Sequence, residues 1–80
     1  MAKIGDWAII ISDKYYDDEN VGILFKISKI EEIITGSKSY LYYSGHNKGK
    51  FWIAAELVFF DKKPSKLEKV IYGVVDKTIS

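Results

Sequence analysis

The chain has 80 residues, 48% of them hydrophobic and 29% charged, with a formal net charge of +1 and no cysteine. That is a globular composition, enough for one small domain burying roughly 60–65% of its unfolded surface. It excludes disulfide staples, thiol chemistry and cysteine-held zinc together.

The first apolar run, Trp7-Ala8-Ile9-Ile10-Ile11, has five residues. A membrane span needs about 20 and a signal-peptide core about 7–15, so no membrane is expected and the cytoplasm of the source or host cell is the expected location. The charge is unevenly spread. Residues 1–35 carry four lysines against seven acids, and residues 36–80 carry eight lysines against four acids. Every basic residue is lysine, so the chain lacks the planar guanidinium fork that reads phosphate and guanine bidentately.

Residues 6–12 are β-branched and bounded by Gly5 and Asp13. They read as a strand with Trp7, Ile9 and Ile11 on one face. Residues 13–20 are polar and acidic with adjacent Tyr15 and Tyr16, which predicts a loop or irregular hairpin. Val21, Ile23, Phe25 and Ile27 alternate and mark a second strand. The pattern changes phase at Ser28-Lys29, as a bulge would make it do, and the strand is expected to run on to Thr35. Gly36-Ser37-Lys38 is a turn, residues 39–44 an aromatic third strand, and residues 45–50 a second glycine-bearing turn. Phe51-Trp52-Ile53 is a fourth strand, residues 54–57 fit one turn of 3₁₀ helix, and residues 57–60 form a fifth strand. Beyond Pro64, Ser65-Lys66-Leu67-Glu68 matches a capping box, and Leu67, Val70, Ile71, Val74 and Val75 fall on one helical stripe. Gly73 and the valine content leave a strand over Val70–Val75 as the alternative.

Little in the chain suits catalysis. The single histidine, His46, lies in a glycine-bearing turn with no orienting acid near it in sequence. A nucleophile needs such a base beside it. Asp13, Asp17, Asp18 and Glu19 lack the calcium-loop spacing, so a solvated acidic loop, or a grip for a basic partner, is expected rather than a metal site. The residues from Gly45 to Lys50 fall one short of a phosphate loop and run into a strand, not a helix. The aromatic content is more telling. In the pairs Tyr15-Tyr16 and Tyr42-Tyr43, neighbours cannot both point inward, so exposed tyrosines are expected, and exposed aromatics favour binding surfaces.

The Gly5-Asp6 opening, Val21-Gly22-Ile23, and the run Phe51-Trp52-Ile53-Ala54-Ala55-Glu56-Leu57-Val58, in an order of five short strands with one 3₁₀ turn before the last, resemble the Src-homology-3-like small barrels. The resemblance covers roughly residues 4–61 and concerns the fold. It implies a mainly β, five-stranded barrel over residues 1–61, followed by an extension at 62–80 with a C-terminal amphipathic helix. Tyr42-Tyr43 and Ala54-Ala55 stand where Src-homology-3 domains carry paired tryptophans and a proline, which argues against proline-rich ligands.

The expected function is a non-enzymatic protein-interaction module without cofactor or metal. Its partner surface would comprise Tyr15, Tyr16, Asp17, Asp18, Glu19, Tyr40, Tyr42 and Trp52, facing a protein with a basic surface. The small size and lysine-, isoleucine- and tyrosine-rich usage suit a bacteriophage or mobile-element protein that binds and inhibits a host factor. The alternative is a nucleic-acid-binding barrel using Lys48, Lys50, Lys62 and Lys63. The stripe of Leu67, Val70, Ile71 and Val74 would cap the barrel or join two copies.

Overall fold

The structure, a computed structural model, describes residues 2–45 and 49–65. The protein is mainly β. Six strands follow one another: β1 (Trp7–Ile10), β2 (Leu24–Lys26), β3 (Lys29–Thr35), β4 (Lys38–Ser44), β5 (Trp52–Ile53) and β6 (Leu57–Phe60). One 3₁₀ turn, Lys14–Tyr16, follows β1, and another, Ala54–Glu56, joins β5 to β6. Among the described residues there is no α-helix. The expected helical stripe at Leu67–Val75 lies outside them, as do His46 and Lys48.

The strands form two antiparallel three-stranded sheets, β2-β1-β6 and β3-β4-β5, which do not close into a barrel. This corrects the expected single five-stranded barrel. The reason lies at Ser28-Lys29. The Ile27 amide donates to the Asp6 carbonyl at 2.8 Å, within the first sheet, and the next amide, Ser28, donates to the Ser44 carbonyl at 2.9 Å, within the second. Ser28 and Lys29 thus both face Ser44, whose register partner is Lys29. Two residues opposing one is the geometry of a bulge, and here it bends the chain from one sheet into the other. A single long strand in sequence therefore becomes β2 and β3.

The core lies between the sheets. Ala8 and Ile10 of β1, Phe25, Ile27, Tyr43, Trp52 and Leu57 are buried together, with Tyr16, Ile30, Leu41 and Phe59 half-buried around them. The Phe25 and Trp52 rings lie 5.5 Å apart, and Tyr43 meets Phe59 edge-on at 4.9 Å. Each large aliphatic or aromatic so buried contributes roughly 1.5–3 kcal/mol before entropy. The inward face of β1 is Ala8 and Ile10, not the expected Trp7, Ile9 and Ile11. Ile9 is fully buried on the opposite face, Trp7 is half-buried under the Lys63 ammonium at 5.4 Å, and Ile11 is exposed. A strand covered on both faces shows no apolar–polar contrast, so periodicity could not assign its sides.

Candidate functional site

The site begins with one carboxylate. Asp13 follows β1 and is fully buried. Its Oδ1 accepts the Trp52 indole N–H at 2.9 Å. Its Oδ2 accepts the Asn20 side-chain amide at 2.7 Å and the Asn20 backbone N–H at 3.1 Å. Its backbone N–H donates to Asp18 Oδ1 at 2.9 Å, while its carbonyl accepts the Asp18 amide at 2.7 Å and the Tyr16 amide at 3.1 Å. Among the described residues no buried side-chain polar atom lacks a partner. A buried carboxylate is tolerated on that condition. The segment from Asp13 to Asn20 is therefore wrapped around Asp13 and tied to the core tryptophan.

This wrapping holds an uncommon backbone. Asp17 and Asp18 are consecutive non-glycine residues at φ of 54° and 59°. The left-handed region costs a side-chain-bearing residue about 1–2 kcal/mol, and aspartate is among the few that visit it. The hydrogen bonds between Asp13 and Asp18 oppose that cost. The chain then turns at Gly22, buried at φ 92°, whose amide donates to the Ile10 carbonyl at 2.8 Å. Glycine takes that angle without a steric penalty.

The fixed loop presents Tyr15 and Tyr16. Tyr15 is 86% exposed and stands edge-on to Tyr16, with centroids 4.8 Å apart and planes at 84°. Tyr16 leans on Trp52 at 6.1 Å, and the Lys50 ammonium lies 5.1 Å from its ring centre. Partial burial, with Tyr15, Asp13 and Glu56 close by, raises the Tyr16 phenol above its ordinary pKa of 10.0.

Opposite the loop stands the β3–β4 hairpin. Register places Glu31 beside Tyr42 and Tyr42 beside Ile53, in one row across the second sheet, with Ile33 and Tyr40 in the next row. Between loop and hairpin runs an open groove of about 690 Å³. Its walls are Ser12, Lys14, Tyr15 and Tyr16 on one side and Glu31, Ile33 and Tyr42 on the other, over Phe51, Ile53, Ala55 and Glu56. Glu56 is oriented by the Ile53 amide, which donates to its Oε1 at 3.0 Å. Glu31 is exposed and lies 3.9 Å from the Lys29 ammonium, an ion pair of little energetic weight. The groove is thus aromatic and aliphatic, with the carboxylates of Glu31 and Glu56 and the ammonium groups of Lys14, Lys29 and Lys50 around it.

Of the expected partner residues, Tyr15, Tyr16 and Tyr42 meet in this groove. Trp52 does not belong to the surface. It is 1% exposed, and its N–H is committed to Asp13, which corrects its expected role. Asp17, Asp18 and Glu19 are exposed on the loop outside the groove lining, and Asp18 serves the Asp13 amide. Tyr40 is exposed beside Ile33 and lines no part of the groove. Of the alternative lysines, Lys48 lies outside the described residues. Lys50 lies on Tyr16, Lys63 on Trp7, and Lys62 is exposed.

Sequence reasoning missed Glu31, Ile33 and Ile53 as site residues, because strand register brings them together, and Glu56, which the Ile53 amide orients on the 3₁₀ turn. It also took Asp13 for a solvated acid. Its position at a strand end, before two tyrosines, carried no sign of the indole 39 residues away. Among the described residues no cluster of three metal-ligating side chains forms. Comparison with protein-family models, curated proteins and solved structures finds no match to this chain.

Proposed function

We propose that the protein is a non-enzymatic interaction module that grips an extended, basic segment of a protein partner in the groove between the 12–16 loop and the β3–β4 hairpin. The observation that carries this reading is the groove itself, with Tyr15, Tyr16, Tyr42 and Phe51 around the carboxylates of Glu31 and Glu56. Tyrosine offers large contact area at low entropic cost, and a carboxylate at the edge of an aromatic wall favours a lysine or arginine side chain. The two sheets and the 3₁₀ turn before β6 support an opened Src-homology-3-like arrangement, in which the segment after β1 forms one wall of the binding groove. The partner is read as a basic sequence and not a proline-rich one, since Ala55 lines the groove and the row from Glu31 through Tyr42 to Ile53 sets its charge.

The test is a titration with unstructured peptides alternating lysine and apolar residues, read by backbone amide shifts. Ile33, Tyr42, Ile53 and Glu56 should respond. Glu31→Lys combined with Glu56→Gln should weaken binding by about tenfold or more at low salt with little change in stability, since neither alters the core. Equal binding of acidic peptides, or shifts confined to the lysines at 50, 62 and 63, would overturn the reading. The same titration with a single-stranded oligonucleotide separates the nucleic-acid alternative, which would show steep salt dependence.

A further inference from the structure

Among the described residues, the longest exposed backbone edge is β3. It pairs with β4 alone among the described residues, and six of its seven residues are exposed. Its side chains include Ile33, 42% exposed, and Ile34, 71% exposed. Native proteins shield such edges with proline, extra charge, short strands or cover. Here the sequence Lys-Ile-Glu-Glu-Ile-Ile-Thr contains no proline, and its three charged residues, Lys29, Glu31 and Glu32, all precede the exposed Ile33-Ile34 pair. The two-residue turn closes on the Thr35–Lys38 pair. In antiparallel alternation that pairing turns the amides of Thr35, Ile33 and Glu31 towards β4, and those of Ile34 and Glu32 outwards.

We infer that this edge pairs with β3 of a second copy, antiparallel about a two-fold axis, joining two three-stranded sheets into one of six. The strand's own residues pick the occupant and the register. A two-fold axis normal to the sheet must place one residue opposite itself. Centring on Glu32 would oppose two carboxylates, which is destabilising. Centring on Ile33 places isoleucine on isoleucine, Glu32 opposite Ile34 and Glu31 opposite Thr35, with no like charges opposed, and it pairs residues 31–35 of the strand where a centre on Ile34 would pair only residues 33–35. The outward donors of Glu32 and Ile34 then meet each other's carbonyls. The Ser39 hydroxyl donates to the Glu32 carboxylate, drawing it across β4 and away from the edge. The hairpin is charge-balanced, with Lys29 and Lys38 against Glu31 and Glu32, so it suits its own copy better than a strongly charged strand.

The pairing stands independently of the peptide-binding reading, but it has a consequence for it. An axis normal to the sheet keeps both grooves on one face, and Ile33 lines each groove. The Ile33 side chains of the two copies would meet with Cβ atoms about 4.5–5.5 Å apart, fusing two grooves end to end. A bivalent partner would then bind more tightly without any new contact.

The test is sedimentation equilibrium of the full chain over a wide concentration range, with the fold of each variant followed by near-ultraviolet circular dichroism. The chain should show a concentration-dependent monomer–dimer equilibrium. Ile34→Pro removes an outward donor and leaves the β4 ladder intact, and should weaken the dimer by about tenfold or more. Ile34→Thr keeps the donor and should change it by about threefold or less. Ile33→Asp opposes two carboxylates across the axis and should also dissociate the dimer, which keeps the proposal falsifiable if the proline variant fails to fold. A chain that is monomeric throughout overturns the inference. So does a dimer indifferent to both Ile34→Pro and Ile33→Asp, or one lost only on Val74→Asp.

Discussion

The loop from Asp13 to Asn20 and the β3–β4 hairpin form the two walls of the same groove, and they are built on opposite principles. The loop has no regular ladder and two residues in the left-handed region, yet at its centre is a fully buried carboxylate with every oxygen engaged. The hairpin has seven residues on each side in continuous register, yet β3 is exposed almost throughout. Regular secondary structure and tertiary fixation are therefore separate properties. A loop earns rigidity from buried, satisfied polar groups, whereas β3 is paired on one side only among the described residues. The groove accordingly has one wall anchored to the core and one wall that, among the described residues, ends at a sheet edge.

The strongest way to break that comparison is to remove the anchor. Asp13→Ala orphans the indole N–H of Trp52 and both amides of Asn20 inside the protein. Unpaired buried donors cost about 1–3 kcal/mol each and are not additive, so a loss of about 3–4 kcal/mol is expected by chemical denaturation. The amides of Tyr16 and Asp18, which donate to the Asp13 carbonyl, should lose their hydrogen-exchange protection. A loss below about 1 kcal/mol with protection retained would mean that the loop stands without its carboxylate.

A smaller effect is expected from the other end of the same bond. Trp52→Phe keeps an aromatic ring near Phe25 and Tyr16 but deletes the donor, leaving Asp13 Oδ1 with no indole partner. The expected cost is about 1–3 kcal/mol, with the Asn20 bonds retained. In a double-mutant cycle with Asn20→Ala, a coupling near zero would show that Asp13 binds its two partners independently, whereas a coupling of about 1 kcal/mol would show a cooperative centre. The hairpin should be nearly silent by comparison. Ile34→Thr in dilute, monomeric protein should change stability by about 0.5 kcal/mol or less, because the side chain is mostly in water.

Much of this architecture was legible in sequence where local chemistry decides it. The aromatic run of β4, the 3₁₀ turn at Ala54–Glu56 and the short β6 fall where composition and turn residues place them. The phase change at Ser28-Lys29 marked the bend between the sheets, although not that it would divide one strand between them. Tyr15, Tyr16 and Tyr42 stood out as an aromatic surplus that the core could not absorb. What could not be read depends on distant partners. Glu31 reaches the groove because it is registered on Tyr42, and Glu56 because its carboxylate caps the turn at Ile53. Asp13 and Trp52 exchanged the roles expected of them, the acid going inside and the tryptophan serving it. An acid next to Asp17, Asp18 and Glu19 resembles a solvated charge run until its hydrogen bonds are known.

The finest distinction between the walls lies in their response to alkali. Tyr16 is held above its ordinary pKa of 10.0, first by burial and then by the nearby Tyr15, Asp13 and Glu56. Raising the pKa of an acid in the folded state means that the folded protein keeps a proton that the unfolded chain gives up. The contribution is complete below the unfolded value and disappears as pH rises from there through the folded value, so stability must fall in that window. Tyr16→Phe has no proton to lose and retains the ring against Trp52 and Lys50. It should leave stability near neutral pH almost unchanged and flatten the decline above about pH 10. Equal alkaline slopes for the Tyr16→Phe protein and the parent would show that the loop wall is as open to water as the hairpin, and the contrast between the two walls would fail at its most sensitive point.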